Sequence, residues 1–211
     1  RAFFERLATI SPPEEKYLYA HLEDPVESEA IQEKIRAMNP RHDSTLRTSI
    51  SPTIIEGGFR SNVIPAEAEA FLDIRVLPDE DVDAMVETLR RLIDDPAVEV
   101  IAPRGGRPRA RPSSLQTDMF RALESAQRKL YPDAVTLPIM LTGATDMAQL
   151  RAKGVQAYGL GTPISPEDAA RIHGHDERIS VEGIGQFVEF AYHAVTDVAA
   201  TNGPTLPAEL R

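Results

Sequence analysis

"GGFRSNVIPAEAEAFLDIRVLP", residues 57–78, carries the pattern on which the fold of this chain turns. Its second half alternates almost strictly. Ala66, Ala68, Ala70, Leu72, Ile74 and Val76 fall on one face, and Glu67, Glu69, Phe71, Asp73 and Arg75 on the other. Successive side chains of a strand point to opposite faces, so a period of two predicts a half-buried strand over 66–78. The first half, "GGFRSNVIP", reads as a turn or loop.

Working outward, "LRTSISPTIIE" (46–56) is rich in Thr, Ser and Ile and predicts a second strand. On the other side, "DEDVDAMVETLRRLIDD" (79–95) sets Val82, Met85, Val86, Leu89 and Ile93 at helical spacing. Its first turn is acidic, where the helix dipole favours negative charge. "AVEVIAP" (97–103) closes as a short strand, so the local order is strand, strand, helix, strand. The preceding residues 1–45 read as helical. "SPPEEKYLYAHLED" opens on a Ser cap with Pro in the first turn, and "ESEAIQEKIRAMNP" stops before Pro40. Glu14 and Glu15 read as first-turn helix acids.

Beyond "PRGGRPRARP" (103–112), a Gly- and Pro-rich linker, the pattern changes. "SSLQTDMFRALESAQRKLYP" predicts a helix capped by Ser113 or Ser114, and "TDMAQLRAKG" one capped by Thr145 and ended by Gly154. "SVEGIGQFVEFAYHAVTDVAA" predicts a long closing helix. Between them, "AVTLPIML" (134–141) and "VQAYGLG" (155–161) read as short apolar strands. Alternating helices and apolar strands predict a parallel, helix-covered sheet. The expected organisation is a helical segment 1–45, a strand-rich segment 46–102, the linker 103–112, an α/β segment 113–198 and a loose tail 199–211.

The chain has 211 residues, 42% hydrophobic and 27% charged, with a formal net charge of −10. No basic stripe exists to neutralise phosphates, so a nucleic-acid partner is not expected. No apolar run approaches the roughly 20 residues of a membrane span. The chain has no cysteine, which excludes disulfides, thiolate zinc sites and cysteine nucleophiles. Its N-terminal "RAFFERLATI" has no signal-peptide layout, and the expected location is cytoplasmic.

Chemistry has three candidate places. "HGHDE" (173–177) concentrates imidazoles and carboxylates in a chain with five histidines, and reads either as part of a metal site or as a polar loop. A catalytic zinc needs three protein ligands, and His173 has no obvious partners. In "LTGATDMAQL" (141–150), Gly143 admits close backbone approach, while Thr145 and Asp146 equally serve as a helix cap. Arg75 is either a surface arginine or a bidentate carboxylate clamp.

In order, "GGFRSNVIPAEAEAFLDIRVLP", "TGATDMAQLRAKGVQAYGLG" and "RIHGHDERISVEGI" closely resemble the dizinc aminoacylase and carboxypeptidase family. That family includes acetylornithine deacetylase, succinyl-diaminopimelate desuccinylase, glutamate carboxypeptidase and carboxypeptidase S. The resemblance covers residues 46–198, and the helical segment 1–40 is similar to an insertion in carboxypeptidase S-like members. It implies an α/β fold in two parts. One is a partial ferredoxin-like lid or dimerisation domain over 46–102. The other is the C-terminal part of a zinc-peptidase-like α/β catalytic domain over 113–198.

The resemblance also implies roles. His173 matches a metal-ligand histidine. Asn62 and Arg75 match lid residues that bind the substrate carboxylate, and Gly143 matches a glycine whose backbone contacts substrate. The implied reaction is hydrolysis of the amide bond of N-acyl amino acids or small peptides with a free carboxylate. Two zinc ions serve the complete enzyme, and the partner is a second copy joined through the lid. The remaining metal ligands and the general base have no match here. The chain is therefore expected to resemble the C-terminal half of such an enzyme, to bind zinc at most weakly, and to be inactive alone. The alternative is a stand-alone dimerisation or small-ligand-binding module without catalysis.

Overall fold

The computed structural model describes residues 1–102, 108 and 111–202. Most of the linker 103–112 and of the tail 199–211 lies outside the described residues. The chain is a mixed α/β structure in two compact units. One joins Phe3–Arg111 to Ile139–Ala144, and the other joins Pro112–Pro138 to Thr145–Arg211.

The first unit opens with four helices, α1 (Ala2–Ala8), α2 (Pro13–Ala20), α3 (Ser28–Met38) and α4 (Pro40–Asp43). Ile31 and Ile35, one turn apart on α3, are buried with Phe4, Ala8, Leu18 and Tyr19. Ile35 is 1% exposed and forms the centre of this small core. Pro40 cannot continue α3 but suits the first turn of α4, whose N-cap Asn39 accepts hydrogen bonds from the Arg41 and His42 backbone N–H groups.

Next comes an antiparallel hairpin of β1 (Ser49–Gly57) and β2 (Ala68–Arg75), in register Ser49 with Arg75 and Gly57 with Ala68. A bulge between Pro52 and Ile54 accommodates the proline, which cannot donate to a ladder. Helix α5 (Val82–Ile93) follows, capped by Asp81, whose carboxylate accepts from the N–H groups of Asp83 and Ala84 at 2.8 and 3.0 Å. Strand β2 forms where the alternation predicts it, but the expected half-burial is absent. Both strands are largely exposed, and Ile55 is 76% open.

In the second unit, α6 (Asp118–Leu130) packs on α9 (Val181–Asn202). Leu123, Ala126 and Ala194 are buried between them, flanked by Met119, Tyr158 and Phe190. Short helices α7 (Met147–Ala152) and α8 (Pro166–Ala169) lie between the two in sequence.

The three other segments read as strands form no ladder among the described residues. In each, a side chain takes a backbone group that a partner strand would use. Arg90 donates to the Val100 carbonyl, Gln127 to that of Ala134, and Arg151 to that of Ala157. The Ala157 N–H donates to Ser113 Oγ at 2.9 Å, and Ser113 returns a bond to the Ala157 carbonyl. Ser113 is thereby committed, and α6 is capped instead by Thr117. Likewise α7 starts after Asp146 with no side-chain cap. No described helix is long and apolar enough to cross a membrane.

Candidate functional site

Arg75 ends β2, and the two-residue strand period puts Asp73 on the same face. The pair is closed: Arg75 Nη2 donates to Asp73 Oδ2 at 2.5 Å. Arg75 Nη1 donates to the Thr142 carbonyl at 3.3 Å, which ties segment 139–144 to the end of the strand. A cavity of about 210 Å³ opens here. Ile74, Val76, Met140 and Leu141 give it apolar walls, Ser44 and Thr142 add polar groups, and Arg75 and Gly143 complete it. Among the described residues Arg75 is the one charged lining residue.

Gly143 is not required by backbone conformation, because a Cβ there would meet only the Leu141 side chain, at 3.6 Å. What glycine provides at this position is a lining residue without a side chain.

Of the four residues singled out in the sequence, the structure therefore brings Arg75 and Gly143 together. Asn62 is elsewhere. It lies exposed in the 58–67 connection at the far end of the hairpin, where Gly57 pairs with Ala68. Seven strand residues separate that end from Arg75, about 23 Å at the usual rise.

His173 sits in the second unit, on an exposed turn after α8, with φ of +64°. Left-handed backbone is uncommon for a residue with a Cβ and is held here by the surrounding turn. Gly174 donates to the Arg171 carbonyl at 2.7 Å, and a Cβ at 174 would lie 2.9 Å from that oxygen, so glycine is required next to His173. Three of the acids nearby are engaged by arginines. Arg178 pairs with Glu167 and Asp168, and Arg171 with Glu167 and Asp176. The Arg178 hydrogen bond holds the Asp168 carboxyl below its ordinary range, helped by Ser165. Among the described residues no group of three or more His, Asp or Glu side chains could hold a metal ion. The donor set present does not by itself fit zinc.

Sequence reasoning missed Asp73, Ser44 and Thr142. Asp73 was within reach, since it shares a strand face with Arg75. Ser44 and Thr142 come from distant segments, and no local signal marks them.

Segment 18–100 matches the M20 peptidase dimerisation domain. "Probable carboxypeptidase S-like 2" from Dictyostelium discoideum is 28% identical over 168 residues, covering 79% of this chain and 32% of that protein. Aminoacylase-1 from Mus musculus is 30% identical over 187 residues, covering 85% of this chain and 44% of that protein. A M20 family metallo-carboxypeptidase from Sulfolobus solfataricus shares the fold, with a TM-score of 0.57 at 16% identity, over 92% of this chain and 47% of that one. The chain thus spans less than half the length of these relatives. The fold is that of the metallo-carboxypeptidase, and the sequence is similar to carboxypeptidase S-like and aminoacylase proteins. Residues 18–100 carry the peptidase dimerisation domain of M20 peptidases.

Proposed function

We propose that this chain carries the carboxylate-binding part of an amidohydrolase that cleaves N-acyl amino acids or small peptides with a free carboxylate. The observation that carries the reading is the single cavity shared by Arg75 and Gly143. A guanidinium has five N–H donors in a planar fork, and Asp73 and Thr142 use two of them. The remaining donors bind a carboxylate, with the Gly143 backbone lining the same cavity. Fixing the carboxylate in this way fixes the register of the scissile amide relative to it.

His173 is proposed as one metal ligand, with zinc as the metal of the complete enzyme. A single histidine leaves binding weak and without defined geometry. The isolated chain is therefore inactive as a hydrolase in this reading. Asn62 is proposed to reach substrate from a second copy, because within one chain it is remote from the Arg75 cavity. A homodimer joined through the hairpin unit would supply it, and a cytoplasmic location belongs to the same reading.

The test is an NMR titration of the chain with N-acetyl-leucine and N-acetyl-leucinamide. The Arg75 Nε–H and Gly143 N–H resonances are expected to move with the acid and to respond little to the amide. If neither responds to the acid, the subsite is wrongly placed.

A further inference from the structure

We propose that Asp73 is a specificity-determining residue: it holds the Arg75 guanidinium in place and makes the cavity select carboxylates with an aliphatic side chain over dicarboxylates. This rests on the reading of the Arg75 cavity as the carboxylate subsite.

Among the described residues the cavity has one cationic lining residue, and that cation is already engaged by Asp73 at 2.5 Å. Both side chains of the pair are a little over 40% exposed, so solvent screens them without dissolving the pair. A ligand carboxylate on the remaining N–H donors lies about 5 Å from the Asp73 carboxylate, by ordinary charge-assisted hydrogen-bond geometry. One incoming negative charge is balanced by Arg75. A second finds no other cation among the described lining residues and meets the repulsion of Asp73.

The walls add to this. Apolar residues Ile74, Val76, Met140 and Leu141 are half of the described lining residues. An aliphatic side chain gains by burial there, whereas a carboxylate pays desolvation without a partner. Asp73 also acts on geometry. With Thr142 as second acceptor, it fixes the guanidinium from two sides, so the free donors stay aimed at the cavity rather than swinging with a long flexible side chain.

The two effects separate in two variants. Asp73→Asn keeps an acceptor oxygen for Arg75 but removes the charge. Asp73→Ala removes both. The 211-residue chain is titrated with N-acetyl-leucine, N-acetyl-glutamate and N-acetyl-leucinamide, following the Gly143 and Arg75 N–H resonances. The unmodified chain is expected to favour N-acetyl-leucine over N-acetyl-glutamate by more than about tenfold, the cost of an unpaired polar group against apolar walls. Asp73→Asn is expected to shrink that ratio by about fivefold, the scale of an exposed charge interaction. It should do so with N-acetyl-leucine still bound. Asp73→Ala is expected to weaken N-acetyl-leucine as well.

A ratio that stays constant across all three proteins overturns the inference, as does equal binding of the two acids by the unmodified chain. If the amide binds as tightly as N-acetyl-leucine, the carboxylate subsite itself fails and Asp73 loses its role with it. If the amide is rejected and the Asp73 variants change nothing, the subsite stands and the role of Asp73 alone is refuted.

Discussion

Replacing Arg75 separates a structural arginine from a ligand-binding one. Its contacts are an ion pair with Asp73, both partners a little over 40% exposed, and a 3.3 Å bond to the Thr142 carbonyl. An exposed ion pair is worth about 0–1 kcal/mol, and a long bond to a neutral carbonyl sits near the low end of about 0.5–1.5 kcal/mol. Arg75→Ala should therefore cost at most about 1.5 kcal/mol of stability, or a few degrees in Tm for a chain of this size. Its effect on ligand binding should be larger. A hydrogen bond to a charged group is worth about 1.5–3 kcal/mol, which is roughly a 10- to 150-fold loss in affinity for N-acetyl-leucine. Arg75→Lys keeps the charge but not the fork, so it should recover little of that loss. Calorimetric titration together with thermal unfolding checks both quantities. Variants that unfold outright, or that lose affinity equally for N-acetyl-leucine and its amide, would show that Arg75 is a structural tie and refute the clamp.

Four further outcomes follow from the same geometry. Gly143→Ala meets only Leu141 at ordinary contact distance, so its Tm should match the unmodified protein while its Cβ, placed on the cavity wall, weakens N-acetyl-leucine severalfold in the same titration. His173→Gly relieves a left-handed backbone and should be more stable than His173→Ala by roughly 1 kcal/mol, read by urea unfolding. Purified chain with added zinc should show no turnover of N-acetyl amino acids; turnover lost in His173→Ala would contradict that. The helical core should lose stability in acid. Burial among Phe3, Phe4 and Tyr19 pushes the His42 pKa below 6.5, against the opposing pull of Glu15. The unfolded chain then binds the extra proton first, so stability is present above pH 6.5 and falls as pH drops below it. His42→Phe should flatten this dependence in acid unfolding curves.

The sequence was most legible where pattern and local chemistry agree. The alternation of 66–78 correctly located β2 and put Asp73 and Arg75 on one face. The helical spacing of Val82, Met85, Val86, Leu89 and Ile93 located α5, and Pro40 the end of α3. It was least legible where structure depends on partners far along the chain. "AVEVIAP", "AVTLPIML" and "VQAYGLG" have strand composition, but a strand exists only through its ladder. Here Arg90, Gln127 and Ser113 satisfy backbone groups that a neighbouring strand would take. The same limit applies to the cavity. Arg75 and Gly143 were visible as residue types, yet Ser44 and Thr142 join them only through folding across 31 and 67 residues from Arg75. Asn62 shows the reverse. It is 13 residues from Arg75 in sequence, and the extended hairpin carries it away from the cavity.

The central claim is that the Arg75 cavity holds a substrate carboxylate. A crystal structure of the chain grown with N-acetyl-leucine tests it most directly. The account predicts both carboxylate oxygens on the guanidinium at about 2.7–2.9 Å, the leucine side chain against Met140 and Leu141, and the Gly143 N–H facing the ligand. A ligand bound elsewhere, or one that enters the cavity with its carboxylate turned away from Arg75, would contradict it.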